Sequence, residues 1–317
     1  MSADAASLLP LWGIDPSSRL SRLERGESNR TYRVDAADGT YALRIYGDRA
    51  TGPVRFEHEL LVALAGVELP FATPVPVALA AGGTVAVAEE PAGPRLAALF
   101  RWIPGQNPDD DDVAAMALGG AALGRLDKAL AEVRTTLRPP AFGGDITRVH
   151  PAVTDLASLG ELDDEARAYV RRAADRAARG YAGLPQQLVH GDFAFGNVLL
   201  EGGRVSGMLD FEFAGVDARA MELAAALVIV LSKGNGEALW RPFVRAYLAT
   251  HPLSAPERAA IPDLIVARCA VVLVWWIGRH RMDATPHERL ERHVRRALVL
   301  EEWVRLRRRE LVDALGR

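Results

Sequence analysis

Lysine is nearly absent from this chain of 317 residues: of its 38 basic side chains only Lys128 and Lys233 are not arginine. The first hundred residues therefore contain no lysine at all. Cysteine is scarcer still. The single Cys269 lies in the apolar run from Cys269 to Ile277, which rules out a disulfide framework and leaves no cysteine pair for a structural metal. It reads as a buried thiol in a reducing compartment. No stretch approaches the ~18 uninterrupted apolar residues of a membrane span, and Met1 to Trp12 has no basic residue ahead of its short apolar segment. A cytoplasmic protein without membrane partners is expected. A net charge of −3 and a pI near 6.2 give no reason to expect nucleic-acid binding. Internal repeats and low-complexity linkers are also missing.

What is present is an ordinary globular composition, 49% hydrophobic and 25% charged, long enough for one large domain or two lobes. The first hundred residues read mainly as strands. Segments Ser28–Val34 and Thr40–Tyr46 flank Asp38-Gly39, a hairpin signal. Phe56 to Ala65 spaces Leu60, Leu61 and Leu64 as one helix face and stops at Gly66. Extended segments are expected again at Pro74–Ala80, Thr84–Ala88 and Ala97–Ile103, the last running into Pro104-Gly105. Beyond that point helices dominate. Asp109 to Asp112 precede a helical pattern from Val113 to Leu130, where acidic groups suit the positive end of the helix dipole. Further helices are expected over Asp163–Tyr181, Met221–Leu231, Leu239–Thr250, Ile261–Met282 and Pro286–Leu315. The fold class expected is α+β and bilobal, with a small β-rich lobe over residues 1–103 joined to a larger, mainly helical lobe over 104–317.

The most informative segment is Leu188-Val189-His190-Gly191-Asp192-Phe193-Ala194-Phe195-Gly196-Asn197-Val198, polar groups held between apolar flanks. Its His-x-Asp-x-x-x-x-Asn spacing is that of a kinase catalytic loop. A Gly202-Gly203 turn and a second apolar strand ending at Asp210 follow. Phosphoryl transfer demands little covalent help and much placement of charge: a carboxylate near the acceptor hydroxyl and oxygen ligands for magnesium between the phosphates. Two short strands joined by a tight turn would set Asn197 at the start of one and Asp210 at the end of the other. Turn and capping roles are the plain alternative for these residues; the spacing and the following hairpin together favour catalysis.

These motifs resemble the aminoglycoside phosphotransferase superfamily, which includes choline kinases and type II homoserine kinases and shares the protein-kinase fold. The resemblance runs from Gly26 to the helices after Asp210. It implies Asp192 as catalytic base, His190 as a structural member of the loop, Asn197 and Asp210 as magnesium ligands, and ATP as donor. Gly26 to Val34 resembles the family's phosphate-covering hairpin, with Gly26, Ser28 and Asn29 near the nucleotide. Tyr41 to Tyr46 matches the strand that usually carries a phosphate-pairing lysine, and Arg44 is the candidate there, although its planar fork is not interchangeable with an ammonium. Glu57 is expected to pair with it, ahead of Glu59. Leu99 to Gly105 resembles the hinge that holds adenine, which brings in Phe100 and Trp102. Two departures stand out: Glu222-Leu223-Ala224 where the family usually has Asp-Leu-Ala, and Asp127 where it often has histidine.

The acceptor is expected to be a small molecule, because only a short segment separates Asp210 from the helix near Met221. Trp275, Trp276, Arg279 and His280 lie on a later helix as either core or acceptor wall. After Pro252 arginines outnumber acids, which argues against a polycationic acceptor. A homoserine- or choline-kinase-like phosphotransferase leads; an antibiotic-inactivating phosphotransferase and a catalytically weak nucleotide-binding protein are the alternatives.

Overall fold

The computed structural model describes residues 5–23, 29–47, 51–91, 93–109, 111–139, 145–282 and 286–316. The chain divides into two compact units. The first comprises Met1–Gln106, Val133–Leu137 and Leu199–Glu212, and the second Asn107–Glu132, Arg138–Val198 and Phe213–Arg317. The polypeptide thus leaves the first unit after Gln106 and returns to it twice.

The first unit is built on a five-stranded sheet of β1 (Arg19–Leu23), β2 (Arg30–Ala36), β3 (Gly39–Ile45), β4 (Ala86–Ala88) and β5 (Arg95–Arg101), in the order β1-β2-β3-β5-β4. All its pairings are antiparallel. Strand β3 shows the cause of its own register: Tyr41, Leu43 and Ile45 are buried and alternate with Arg44, so one face meets the core while the guanidinium points to the other. Leu43 sits opposite Leu99, and Leu9, Trp12 and Val34 complete that core. The sheet is joined by α1 (Thr51–Leu64), which buries Val54, Leu60, Leu61 and Leu64.

One expectation of extended structure needs correction, and one strand was not expected. Residues 74–80 form no strand: Pro76 makes an isolated bridge to Phe100, and Val77 N–H donates to Leu99 O. Pro74 and Pro76 have no N–H to continue a ladder. Conversely β1, which no pattern marked, pairs with β2; its residues are mostly half-buried, and a strand so little buried carries little apolar periodicity.

The second unit contains α2 (Val113–Glu132), α3 (Asp164–Tyr181), α4 (Arg219–Leu231), α5 (Gly236–Thr250), α6 (Ala255–Arg281) and α7 (His287–Leu315), with β6 (Gln186–Val189) antiparallel to β9 (Gly215–Ala218). Between these two strands in sequence lies the pair β7 (Val198–Glu201) and β8 (Arg204–Met208). Their Gly202-Gly203 turn has φ of 57° and 76°, the left-handed backbone that a two-residue hairpin requires.

Helix α2 is capped by Asp112, whose Oδ1 accepts from Ala114 and Ala115 N–H. It approaches α5 closely because Gly120 and Gly124 carry no Cβ; one at Gly120 would stand 2.4 Å from Phe243 O. Helix α6 begins at Ala255, earlier than its apolar pattern implied. Ser254 and Glu257 form a capping box there, and a proline in the first turn costs no hydrogen bond. By length and apolar composition α6 could cross a membrane, but 67% of its apolar window is buried in the protein, packed against α3, α4 and α7. It reads as a core helix.

Candidate active site

The loop after β6 is held almost entirely through its backbone. Gly191 has φ of 79°, and a Cβ there would stand 2.5 Å from Phe213 O, so only glycine fits. Its N–H donates to Glu222 Oε2 at 2.8 Å, and its carbonyl accepts from Arg268 Nη2 at 2.9 Å. Asp192 N–H donates to Nδ1 of the fully buried His190 at 3.3 Å, and Asp192 O accepts from Asn197 Nδ2 at 3.1 Å. The loop is thereby closed at both ends. His190, Asp192 and Asn197 are brought together as one hydrogen-bonded turn. Beneath it Phe193, Phe195 and Phe243 pack edge to face or tilted, the first two with ring centroids 5.3 Å apart. Asn107 Nδ2 donates to Gly196 O and Val198 O, each at 2.8 Å. The Asp192 side chain remains 35% exposed, with Oδ1 3.5 Å from Arg268 Nη2.

Arg268 and Asn107 were not singled out by sequence. Arg268 had a signal: it is the one charge in the apolar run from Leu264 to Ile277. Asn107, in a polar loop, had none.

Behind the loop lie two fully buried acids, Glu222 at 1% exposure and Asp127 at 0%. The longer Glu222 still reaches the loop backbone, as the bond to Gly191 shows. Burial raises its pKa, against the opposing influence of His190 and the Gly191 N–H. Asp127 is raised well above the usual carboxylate range, first by burial and then by Glu222, although Tyr247 O–H donates to its Oδ2 at 2.6 Å. One oxygen of each, Asp127 Oδ1 and Glu222 Oε1, is buried without a hydrogen-bond partner. Uncharged carboxyls suit such surroundings better than carboxylates.

In the first unit, Arg44 Nη1 lies 3.1 Å from Glu57 Oε1 and 3.5 Å from Asp210 Oδ1. Burial opposes the guanidinium charge, yet Asp210 and Glu57 outweigh it and raise the pKa. Glu57 Oε2 also accepts from Tyr46 O–H at 3.2 Å. Glu59 takes no part, since its carboxylate is engaged by Thr136. Phe100 is 4% exposed, with its ring against His58 and under the Arg44 guanidinium. Trp102 is half-buried beneath Arg33. Asn29 bridges the Gly47 N–H and Glu212. Gly26 and Ser28 lie outside the described residues.

Asp210 has φ of 68°, the only positive φ among described residues other than glycine. Such a conformation is uncommon and clusters at functional sites. Its Oδ1 is buried and makes no hydrogen bond, the longer ion pair to Arg44 aside. In Asn197 the amide nitrogen is spent on Asp192 O, which leaves the amide oxygen as the coordinating end. Both offer hard oxygen donors of the kind magnesium takes. Among the described residues no group of three His, Cys, Asp or Glu could hold a metal alone.

A β-sheet unit, a mainly helical unit and a His-x-Asp loop followed by a hairpin and an aspartate define the protein-kinase-like class of phosphotransferases. The chain belongs to the phosphotransferase enzyme family APH, whose model matches residues 19–261. It is 29% identical over 252 residues to a homoserine kinase of Acidiphilium cryptum, covering 76% of this chain and 75% of that protein. Among solved structures, a microcompartment-associated aminopropanol kinase superposes with a TM-score of 0.75 at 19% identity, over 97% of this chain and 98% of the other. An amicoumacin kinase in complex with AMP-PNP, Ca2+ and Ami gives a TM-score of 0.72 at 16% identity, over 93% of this chain and 91% of the other. The two structures establish the fold. The family establishes that the chain is a small-molecule phosphotransferase.

Proposed function

We propose that the protein transfers the γ-phosphoryl group of ATP, with magnesium, to a hydroxyl of a small molecule in the manner of homoserine and choline kinases, and that it works in the cytoplasm. The observation that carries this reading is the Asp192 loop: an accessible carboxylate whose backbone is hydrogen-bonded on both sides, to His190 and to Asn197. Asp192 accepts a hydrogen bond from the acceptor hydroxyl and takes its proton as the new O–P bond forms and ADP leaves. His190 holds the loop rather than touching the acceptor. Asn197 and Asp210 would hold magnesium, which when bound would neutralise charge on the nucleotide phosphates. Arg44, oriented by Glu57, stands in for the usual lysine, and the Asn29 segment with Gly26 and Ser28 covers the phosphates. Phe100 and Trp102 belong to the adenine-holding strand.

Release of ADP from ATP and magnesium, measured against amino alcohols, hydroxy acids, sugars, nucleosides and aminoglycosides, tests the assignment. Asp192→Asn should lower kcat by about 10²–10⁴-fold at unchanged Tm. Equal release by the variant would remove the catalytic reading and favour a nucleotide-binding protein. An aminoglycoside as best acceptor would favour antibiotic inactivation.

A further inference from the structure

Tyr46, the residue after β3, and His58 of α1 are polar groups in the core of the first unit, 1% and 4% exposed. Buried groups of this kind persist where hydrogen bonds satisfy them. The Tyr46 hydroxyl has two neighbours, Glu57 Oε2 at 3.2 Å and His58 Nε2 at 3.1 Å. His58 Nδ1 in turn lies 2.7 Å from Thr84 Oγ1. Phe100 packs edge-on against the imidazole at 5.4 Å. Through the other oxygen of Glu57 the row reaches Arg44 Nη1 at 3.1 Å, and from there Asp210 Oδ1 at 3.5 Å. Thr84, His58, Tyr46, Glu57, Arg44 and Asp210 thus form one row, all of it within the first unit.

The row has a direction, set by its protons. Burial, with Glu57 beside it, raises the Tyr46 pKa, so the hydroxyl keeps its single proton. Burial and the Arg44 charge lower the His58 pKa to about 4, so near pH 7 the ring is neutral and carries one N–H. Glu57 is ion-paired with Arg44, and a carboxylate only accepts. Its oxygen stands close to the phenol oxygen, which is favourable only with the proton between them, so Tyr46 donates to Glu57. The lone pairs of Tyr46 are then met by His58, which donates from Nε2. Its Nδ1 is left as an acceptor, and Thr84 O–H donates to it. The Nε2–H tautomer is assigned from these neighbours.

This order bears on Arg44 because a guanidinium and a carboxylate readily pair through two parallel bonds. Such a fork would draw Arg44 wholly onto Glu57. With Oε2 occupied by Tyr46, Glu57 offers Arg44 only Oε1, and the guanidinium is shared with Asp210. It also lies over the rings of Phe100 and Tyr46, 5.4 and 5.9 Å from their centroids. Resting on the reading above in which Arg44 stands at the nucleotide phosphates, we propose that Tyr46, its hydroxyl turned by His58 and Thr84, positions that arginine for phosphate by holding Glu57 to a single bond. Tyr46 acts through Glu57 rather than on the nucleotide. An arginine in a lysine's place calls for such a device, since its planar fork meets a carboxylate in more than one way and a compact ammonium does not.

The test measures binding of AMP-PNP with magnesium and, separately, of adenosine, by calorimetry on the full-length protein well below its Tm. The variants are Tyr46→Phe, the double variant Tyr46→Phe/His58→Leu, and Arg44→Met. Tyr46→Phe should weaken AMP-PNP about 5- to 20-fold and leave adenosine unchanged, because only the phosphates meet Arg44. It should also lower Tm, since His58 Nε2–H loses its acceptor. The double variant removes both buried partners and should regain much of that Tm, while AMP-PNP stays as weak as in the single variant. A merely structural role would restore binding along with Tm. The proposal is overturned by that restoration, by adenosine weakening in step with AMP-PNP, or by wild-type AMP-PNP affinity in Tyr46→Phe. Arg44→Met separates this failure from that of the underlying reading. If it weakens AMP-PNP and Tyr46→Phe does not, only the positioning role falls; if it too binds AMP-PNP like the wild type, the assignment of Arg44 to the phosphates falls with it.

Discussion

The polar residues of the two units are stabilised in opposite ways. In the first unit Arg44 lies between two carboxylates, Glu57 and Asp210, and the group works as an ion-pair cluster in which one guanidinium serves two acids. In the second unit the Asp192 loop rests on Glu222 and Asp127, two acids whose pKa values are raised and which, among the described residues, have no cationic partner at hydrogen-bond distance. The loop thus hangs on hydrogen bonds to backbone from a group that favours the uncharged form. One site is sensitive to losing a charge, the other to gaining one.

Breaking the ion-pair cluster should have the larger consequence. Arg44→Met takes the guanidinium away from the buried Glu57, 2% exposed, which keeps its hydrogen bond from Tyr46 O–H. A loss of about 3–5 kcal/mol in unfolding free energy is expected by denaturant titration, with weaker ATP binding in whatever remains folded. If Arg44→Met proved as stable as the wild type, the cluster would not hold the first unit together.

The second contrast concerns the loop. Glu222→Leu removes the acceptor for Gly191 N–H and should cost about 1–3 kcal/mol of stability. It should also lower kcat more than it raises the KM for ATP, because Asp192 is the next residue. Equal changes in both would mean that Glu222 supports the fold without positioning the loop.

The smallest effect should depend on pH. For Asp127 and Glu222 the folded-state pKa lies above the ordinary values of 3.8 and 4.5, so the folded protein keeps protons that the unfolded chain releases. Stability is then greatest below those ordinary values. It falls as pH rises from them through the raised pKa values, and levels off beyond. Asp127→Asn keeps an acceptor for Tyr247 O–H while removing one titrating group. It should raise Tm by about 2 °C near pH 8, corresponding to roughly 1 kcal/mol, and by less near pH 5. A gain independent of pH would show that charge is not what distinguishes this site from the Arg44 cluster.

Much of the fold was legible because the signals were local. The helices α2, α3, α4, α5 and α7 follow apolar periodicity, and the starts of α2 and α3 are marked by capping aspartates. The β2–β3 hairpin follows its turn residues. The pairing of Arg44 with Glu57 was an implication of the family resemblance rather than of any local pattern, and the two side chains do meet. The half-buried β1 and the bridge at Pro76 were not legible, because each depends on a partner strand rather than on its own pattern.

Sequence by itself determined the motif: His190, Asp192 and Asn197 are near neighbours, and a turn of that length closes on its own hydrogen bonds. Only the tertiary structure decided what surrounds it. Arg268 reaches Asp192 from a helix far along the chain, and Glu222 reaches Gly191 from another. Asp127 is raised first by burial and then by Glu222, far along the chain. Desolvation and charge proximity are properties of three-dimensional packing, and no spacing along the chain encodes them. For the same reason Arg279 and Arg281, two residues apart on one helix, are alike in sequence but differ in partner: Arg281 pairs with Glu161 and Arg279 packs over Trp276.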